Sequence, residues 1–276
     1  MNITDRISRR IRSAYKLRSK RTASRALNKL ASSRPVFVLG SQKSGSTVIA
    51  ASLAKATGCS VTLDIRRAIP DLSWQPLTAL GVSPLSDFVY RYRREFSREI
   101  VKEPALSFFF DGLYKLFPNA AFVMIQRHPG ETIRSILNRL NIQGDLENIC
   151  FDDWPALRQS PVWRLALDSA WLDRPSTNYV EALAIRWDYI AKTYLAAADR
   201  FTLIRYEDFL KDKKGEIRDL ARRLGLPVQH NIDQELQRQY QPRGQSVDLR
   251  EFFGAANYDR IRSVCETRAR YFGYEL

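Results

Sequence analysis

Val36-Phe37-Val38-Leu39-Gly40-Ser41-Gln42-Lys43-Ser44-Gly45-Ser46-Thr47 is the stretch from which the rest of the chain is read. After Pro35, four consecutive apolar residues predict a short parallel strand buried on both faces, which Gly40 ends. Ser44 to Thr57 then reads as a helix with Val48, Ile49 and Leu53 on its apolar face and Gly58 at its close. A strand that runs through a short loop into a helix aims unpaired N–H groups and the positive end of a helix dipole at one point, and such a point holds phosphate. Gly40 and Gly45 let the backbone come close to a ligand, and Ser44, Ser46 and Thr47 offer hydroxyls. Gln42, Lys43, Ser44, Gly45, Ser46 and Thr47 are therefore candidate ligand-binding residues.

The spacing from Gly40 to Gly45 is that of a Walker A loop, yet Ser46 stands where the Walker lysine belongs. The cation is instead Lys43, inside the loop. There it faces the oxygen that bridges a phosphate to its leaving group and not a γ-phosphate.

Outward from the loop, Ser60 to Ile65, Ile100 to Lys102, Ala121 to Ile125 and Phe201 to Ile204 read as further strands. Helices are expected from Phe108 to Leu116, within Arg127 to Leu140, and over Tyr179 to Ala198, Lys214 to Leu224 and Tyr258 to Tyr271. Strands alternating with helices at this interval predict an α/β fold of three layers around a central parallel sheet. Residues 66–100, broken by Pro70, Pro76 and Pro84, read as irregular, with a very basic stretch from Arg91 to Arg98. Residues 141–178 interrupt the alternation and read as an insertion that caps the active face.

The 276 residues, 45% of them apolar, suffice for one core, and residues 35–276 read as a single domain. The net charge of +14 is unevenly spread. Residues 1–34 hold eleven Lys and Arg against one acidic residue, about +10, which leaves the body about +4. That segment reads as a basic arm, solvated or helical, with two binding alternatives: an anionic membrane surface and a polyanionic partner. Cys59, Cys150 and Cys265 show neither metal-ligand nor disulfide spacing, which suits a reducing compartment. No run of about 18 apolar residues marks a membrane span, so the expectation is a cytoplasmic protein, peripheral to a membrane where the arm adheres.

Two further blocks follow at strand ends. Ala121-Phe122-Val123-Met124-Ile125-Gln126-Arg127-His128-Pro129 leads to Ser135, eight residues beyond Arg127, and Arg205-Tyr206-Glu207-Asp208-Phe209 leads to Leu224-Gly225-Leu226-Pro227. Taken with the loop, they resemble the sulfotransferase superfamily, in which a Lys or Arg precedes Ser-Gly-Thr/Ser-Thr after a buried strand. The resemblance implies a P-loop nucleoside-triphosphate-hydrolase-like fold and 3'-phosphoadenosine 5'-phosphosulfate as co-substrate. It also implies that Lys43 and its loop bind the 5'-phosphosulfate, that Arg127 and Ser135 bind the 3'-phosphate, and that Tyr206 lies near the nucleotide. Arg243, in Gln241-Pro242-Arg243-Gly244, matches a basic-glycine segment that also reaches the 3'-phosphate in the family. Where the family has Asp, this chain has His128.

Sulfuryl transfer needs a cation where charge builds on the departing phosphate, a task for Lys43, and a base for the acceptor proton. Lys102-Glu103-Pro104 resembles a Lys-x-Pro segment whose lysine assists at the sulfuryl group. Glu103 is the first candidate base, with Asp64 and His128 as alternatives and a structural ion pair as its other reading. The scheme calls for no metal. The acceptor is open among lipid, carbohydrate, peptide and small molecule. Two other classes remain as alternatives: a nucleotide kinase or NTPase, which the loop's lack of a Walker lysine opposes, and a polyanion-binding module acting through the arm, with no motif for specific nucleic-acid recognition.

Overall fold

The computed structural model describes Leu27, Leu30 and residues 34–71, 73–238 and 247–276. Five strands form one parallel sheet: β1 (Val36–Gly40), β2 (Val61–Leu63), β3 (Ile100–Lys102), β4 (Ala121–Gln126) and β5 (Phe201–Arg205), in the order β2-β3-β1-β4-β5. The principal helices are α1 (Ser46–Thr57), α2 (Pro129–Leu140), α3 (Tyr179–Ala196), α4 (Lys213–Arg223) and α5 (Leu249–Tyr271), the last kinked at Gly254.

Alternation along β1 builds both faces of the sheet. Val36 and Val38 join Ile100, Val123, Ile125 and Ile204 under α1 and α4, whereas Phe37 and Leu39 join Val101, Phe122 and Met124 on the opposite face. Every one of these side chains is at most 4% exposed, which is why the strands are continuous apolar runs and not half-polar ones. The α/β, three-layer expectation is what the structure shows.

Two stretches differ from the sequence reading. Between residues 66 and 100 the chain, expected to be irregular, carries short helices, Trp74–Ala79, Leu85–Arg91 and Arg93–Phe96, with Trp74 stacked on Phe88 at 3.9 Å. Each run is too short to display a helical period, and Pro76 and Pro84 sit in the first turn and at the N-cap of their helices, where the missing N–H costs nothing. The C-terminal helix begins at Leu249 and not near Tyr258, because Asp248 caps it by accepting from the N–H of Glu251 at 2.9 Å. Residues 141–178 lie against α2 and α3, with Leu157 and Leu167 in one cluster with Ile136 and Tyr179.

β1 and β4 are neighbours, paired from Val36↔Ala121 to Gly40↔Ile125. The helix after β1 packs with α4 on one face of the sheet, while the helix after β4 packs with α3 and α5. Their loops therefore part at the carboxyl ends of adjacent strands, the crevice where open α/β sheets take ligands.

Candidate functional site

The crevice is built first by backbone. Lys43 adopts φ 67° and Gly45 φ 89°, so left-handed residues recur in the loop as in an anion-holding nest. Gly45 is the N-cap of α1 and supplies no side-chain cap, which leaves the first N–H groups of a 12-residue helix for a ligand. Glycine is obligatory there for a second reason: a Cβ would lie 2.2 Å from the ring of Tyr206. The end of β1 is pinned by Ser107, whose Oγ accepts from the N–H of Gly40 at 2.8 Å.

Side chains then close around the loop. Arg127, at the end of β4, donates from Nη1 to the carbonyl of Lys43 at 2.9 Å and stacks over the Tyr206 ring at 4.9 Å. The indole of Trp187 on α3 donates to the carbonyl of Arg127 at 2.9 Å, which fixes the arginine's backbone. Lys43, Arg127 and Tyr206, far apart in sequence, thus meet. Ser135 is half-buried on α2, and Arg139 follows it one turn later on the same face.

The site carries an excess of positive charge. Burial, then Arg139, then Arg127 lower the Lys43 ammonium to about 8. Glu131 is the carboxylate in reach of Arg127, at 3.2 Å, and it also accepts from Arg134 at 2.8 Å. Among the described residues, the buried hydroxyls of Ser41 and Ser44 find no hydrogen-bond partner. Buried groups of this kind are normally satisfied. Cations crowded together, orphaned hydroxyls and a bare helix N-terminus all fit an oxyanion-rich ligand. Behind Ser41 and Gln42 lies a narrow cavity lined also by Phe108, Thr132, Ile136 and Arg186. Arg186 is buried between Phe108 and Trp171, and that burial lowers it to about 10.

The other candidates lie across β3. Lys102, 5% exposed, donates to Asp64 at the end of β2, and the Asp64 carboxylate is 42% exposed. Glu103 uses both oxygens on backbone, accepting from the N–H of Ile65 at 2.9 Å and of Ala105 at 3.1 Å. Burial and Asp64 raise its pKa, yet its bonds are those of a cap on the 3-10 turn Pro104–Phe109. The hydrogen bonds of Lys102 and Glu103 run to β2 and to their own turn, not to the loop around Lys43. His128 is held on both ring nitrogens: Nδ1 accepts from the N–H of Glu131 at 3.4 Å and Nε2 meets the carbonyl of Glu275 at 2.8 Å. It does the N-cap work that an aspartate performs well, so the departure from the family pattern preserves the turn. Glu207 ties the same region to the C-terminus, accepting from His128 N–H at 2.9 Å and from Tyr274 OH at 2.7 Å. Arg243 lies outside the described residues.

Sequence reasoning missed Arg139, Ser107 and the contact between Gly45 and Tyr206. For Arg139 a signal existed, since it stands four residues after Ser135 and so shares its helix face. The other two depend on how distant segments dock and left no local trace.

Comparison with known proteins gives a concordant result. A family profile described as "Sulfotransferase family" matches residues 79–230, beyond the Lys43 loop itself and more than half of the chain. Among solved structures, the sulfotransferase domain from the curacin biosynthetic pathway is 17% identical with a TM-score of 0.51, covering 88% of this chain and all of that one. The sulfotransferase STF9 from Mycobacterium avium is also 17% identical, with a TM-score of 0.52, covering 88% of this chain and 78% of that one. No curated protein matches the chain.

Proposed function

The chain belongs to the sulfotransferase family, and from that premise we propose that it passes the sulfuryl group of 3'-phosphoadenosine 5'-phosphosulfate to a hydroxyl or amine of an acceptor by in-line displacement. One observation carries the reading. Arg127 touches the carbonyl of Lys43 at 2.9 Å, so the two anion-binding motifs occupy one crevice and a single nucleotide can span them.

In this reading the loop N–H groups of α1, with Ser44, Ser46 and Thr47, hold the 5'-phosphosulfate. Arg127 and Ser135 take the 3'-phosphate, the guanidinium as a charge-assisted donor. Tyr206, packed on Gly45 and under Arg127, supports the nucleotide side of the crevice. As the acceptor oxygen or nitrogen bonds to sulfur, the bond from sulfur to the bridging oxygen breaks and negative charge collects on the departing phosphate. Lys43 stabilises that charge, and preorganised donors of this kind are worth roughly 2.7–4 kcal/mol of barrier.

The acceptor proton goes to a base. Of the three candidates, Glu103 and His128 are occupied by hydrogen bonds, whereas Asp64 keeps an exposed oxygen beside Lys102. Asp64 is therefore the proposed base, with Lys102 positioning it.

Calorimetric titration tests the donor. Adenosine 3',5'-bisphosphate should bind selectively over ATP and GTP, with or without magnesium. Preference for ATP with magnesium would instead make the crevice that of a kinase.

A further inference from the structure

The narrow cavity behind Ser41 and Gln42 takes no part in the donor contacts proposed above. It is lined by Gln42, the neighbour of Lys43, and by Pro104, which opens the turn after β3. On the donor reading, a molecule seated there would adjoin both the loop that holds the reacting sulfur and the strand end that carries Lys102.

Its walls are mixed. Phe108, Ile136, Leu183, Trp187 and Ile190 give hydrocarbon, while Ser41, Thr132 and Arg186 give polar groups. Those polar groups are short of partners. The hydroxyls of Ser41 and Thr132 are buried without a hydrogen bond among the described residues. Arg186 is 6% exposed and has five N–H donors, and its hydrogen bond among the described residues is a long one, from Nη1 to the carbonyl of Leu165 at 3.4 Å. The acidic group that acts on it, Asp168, makes no ion pair with it and accepts instead from the N–H of Ala170 at 2.9 Å. The rings of Phe108 and Trp171, 4.6 and 5.3 Å from the guanidinium, attract the cation but do not neutralise it.

A guanidinium buried in hydrocarbon is costly unless an anion meets it. The cation, the two hydroxyls and the apolar walls together suit a slender apolar stem that ends in a negatively charged acceptor of hydrogen bonds. Charge and shape choose that group. A carboxylate sets one negative charge against the single positive charge of Arg186 and matches its planar fork, whereas a phosphate monoester would bring about two charges into the same apolar setting. The cavity measures about 300 Å³ with the open space at its mouth, so it takes the end of a molecule and not the whole. Resting on the sulfotransferase reading, we propose that this cavity seats one end of the acceptor and that Arg186 recognises a carboxylate there, with Ser41 and Thr132 donating to its oxygens.

Calorimetry on the protein saturated with adenosine 3',5'-bisphosphate tests this, with butanoate, its neutral isostere butanamide and propyl phosphate as probes. Butanoate should bind one to one and more tightly than either other probe by about 10-fold or more, the worth of a hydrogen bond to a charged group. Arg186→Gln should remove the preference for butanoate over butanamide, and Arg186→Lys, which keeps the charge and loses the fork, should retain part of it. Melting curves show whether each variant folds, and the comparison of probes in the wild-type protein stands without them. Equal binding of butanoate and butanamide, or a preference for propyl phosphate, would overturn the inference while the donor reading stood. So would a butanoate preference that survives Arg186→Gln and disappears in Lys43→Ala, which would put the carboxylate at the position of the sulfur. Failure of the bisphosphate itself to bind would sink the donor reading first, and this inference with it.

Discussion

At the carboxyl ends of β1 and β4, Lys43, Arg127 and Arg139 crowd together, two buried serine hydroxyls lack partners among the described residues, and a helix N-terminus has no side-chain cap. At the ends of β2 and β3, by contrast, Lys102 is matched by Asp64 and Glu103 by two backbone N–H groups. Both clusters sit on one edge of one sheet and each holds a lysine. Like charges brought together with burial disfavour the charged form, and a protein keeps such an arrangement where a ligand supplies the opposite charge. The first cluster is incomplete without an anion, while the second is complete by itself except for one oxygen of Asp64.

Removing the cation at the centre of the incomplete cluster gives the largest expected effect. Lys43→Ala should lower single-turnover transfer by about two to three orders of magnitude. Its melting temperature should not fall, because the substitution relieves a crowded charge. Turnover retained in that variant would take Lys43 out of the mechanism and the asymmetry between the clusters with it.

The complete cluster sharpens the comparison through its two carboxylates. Asp64→Asn should slow the bound-state rate by about 10²-fold, the usual worth of a positioned base. Glu103→Gln should leave that rate within a few-fold and cost stability of about 1 kcal/mol, the worth of a helix cap. Rates at saturating donor, with melting curves alongside, separate the two. The reverse pattern would return the base to Glu103. Next in size comes Arg127→Ala. A hydrogen bond to a charged group is worth about 1.5–3 kcal/mol, so the affinity for adenosine 3',5'-bisphosphate should fall by about 10- to 100-fold. Unchanged affinity in calorimetry would contradict its contact with the 3'-phosphate.

Much of the fold and the first cluster could be read from residues alone, for a physical reason. A buried parallel strand needs an unbroken apolar run, and a phosphate turn needs glycine and small hydroxyls at fixed steps, so Val36 to Thr47 carries its structure locally. Lys43, Arg127 and Tyr206 each follow a strand, and parallel strands bring their carboxyl ends to one edge. The division of roles in the second cluster was not legible, because Glu103 is decided by which backbone N–H groups lie nearby and Ile65 is 38 residues away. The helices between Trp74 and Phe96 escaped notice since each spans two turns or fewer, too little for a period to show.

The smallest expected effect probes the crowding itself. In the free protein Lys43 is lowered to about 8 from an ordinary 10.5 by burial, Arg139 and Arg127. Near pH 8 about half of the molecules therefore lack its proton, and a bound anion, which favours the charged form, should restore it. Binding of adenosine 3',5'-bisphosphate should then take up about half a proton at pH 8, and its affinity should decline as the pH rises further. Stability should move the other way. Between about 8 and 10.5 the unfolded chain holds the Lys43 proton that the folded one has lost, so this residue's contribution to stability rises with pH across that window. Calorimetry at pH 8 in two buffers of different ionisation enthalpy measures the uptake, and Lys43→Met should abolish it. Binding without proton uptake in the wild-type protein would mean that the ligand's charge does not reach Lys43, and the first cluster would then be no more incomplete than the second.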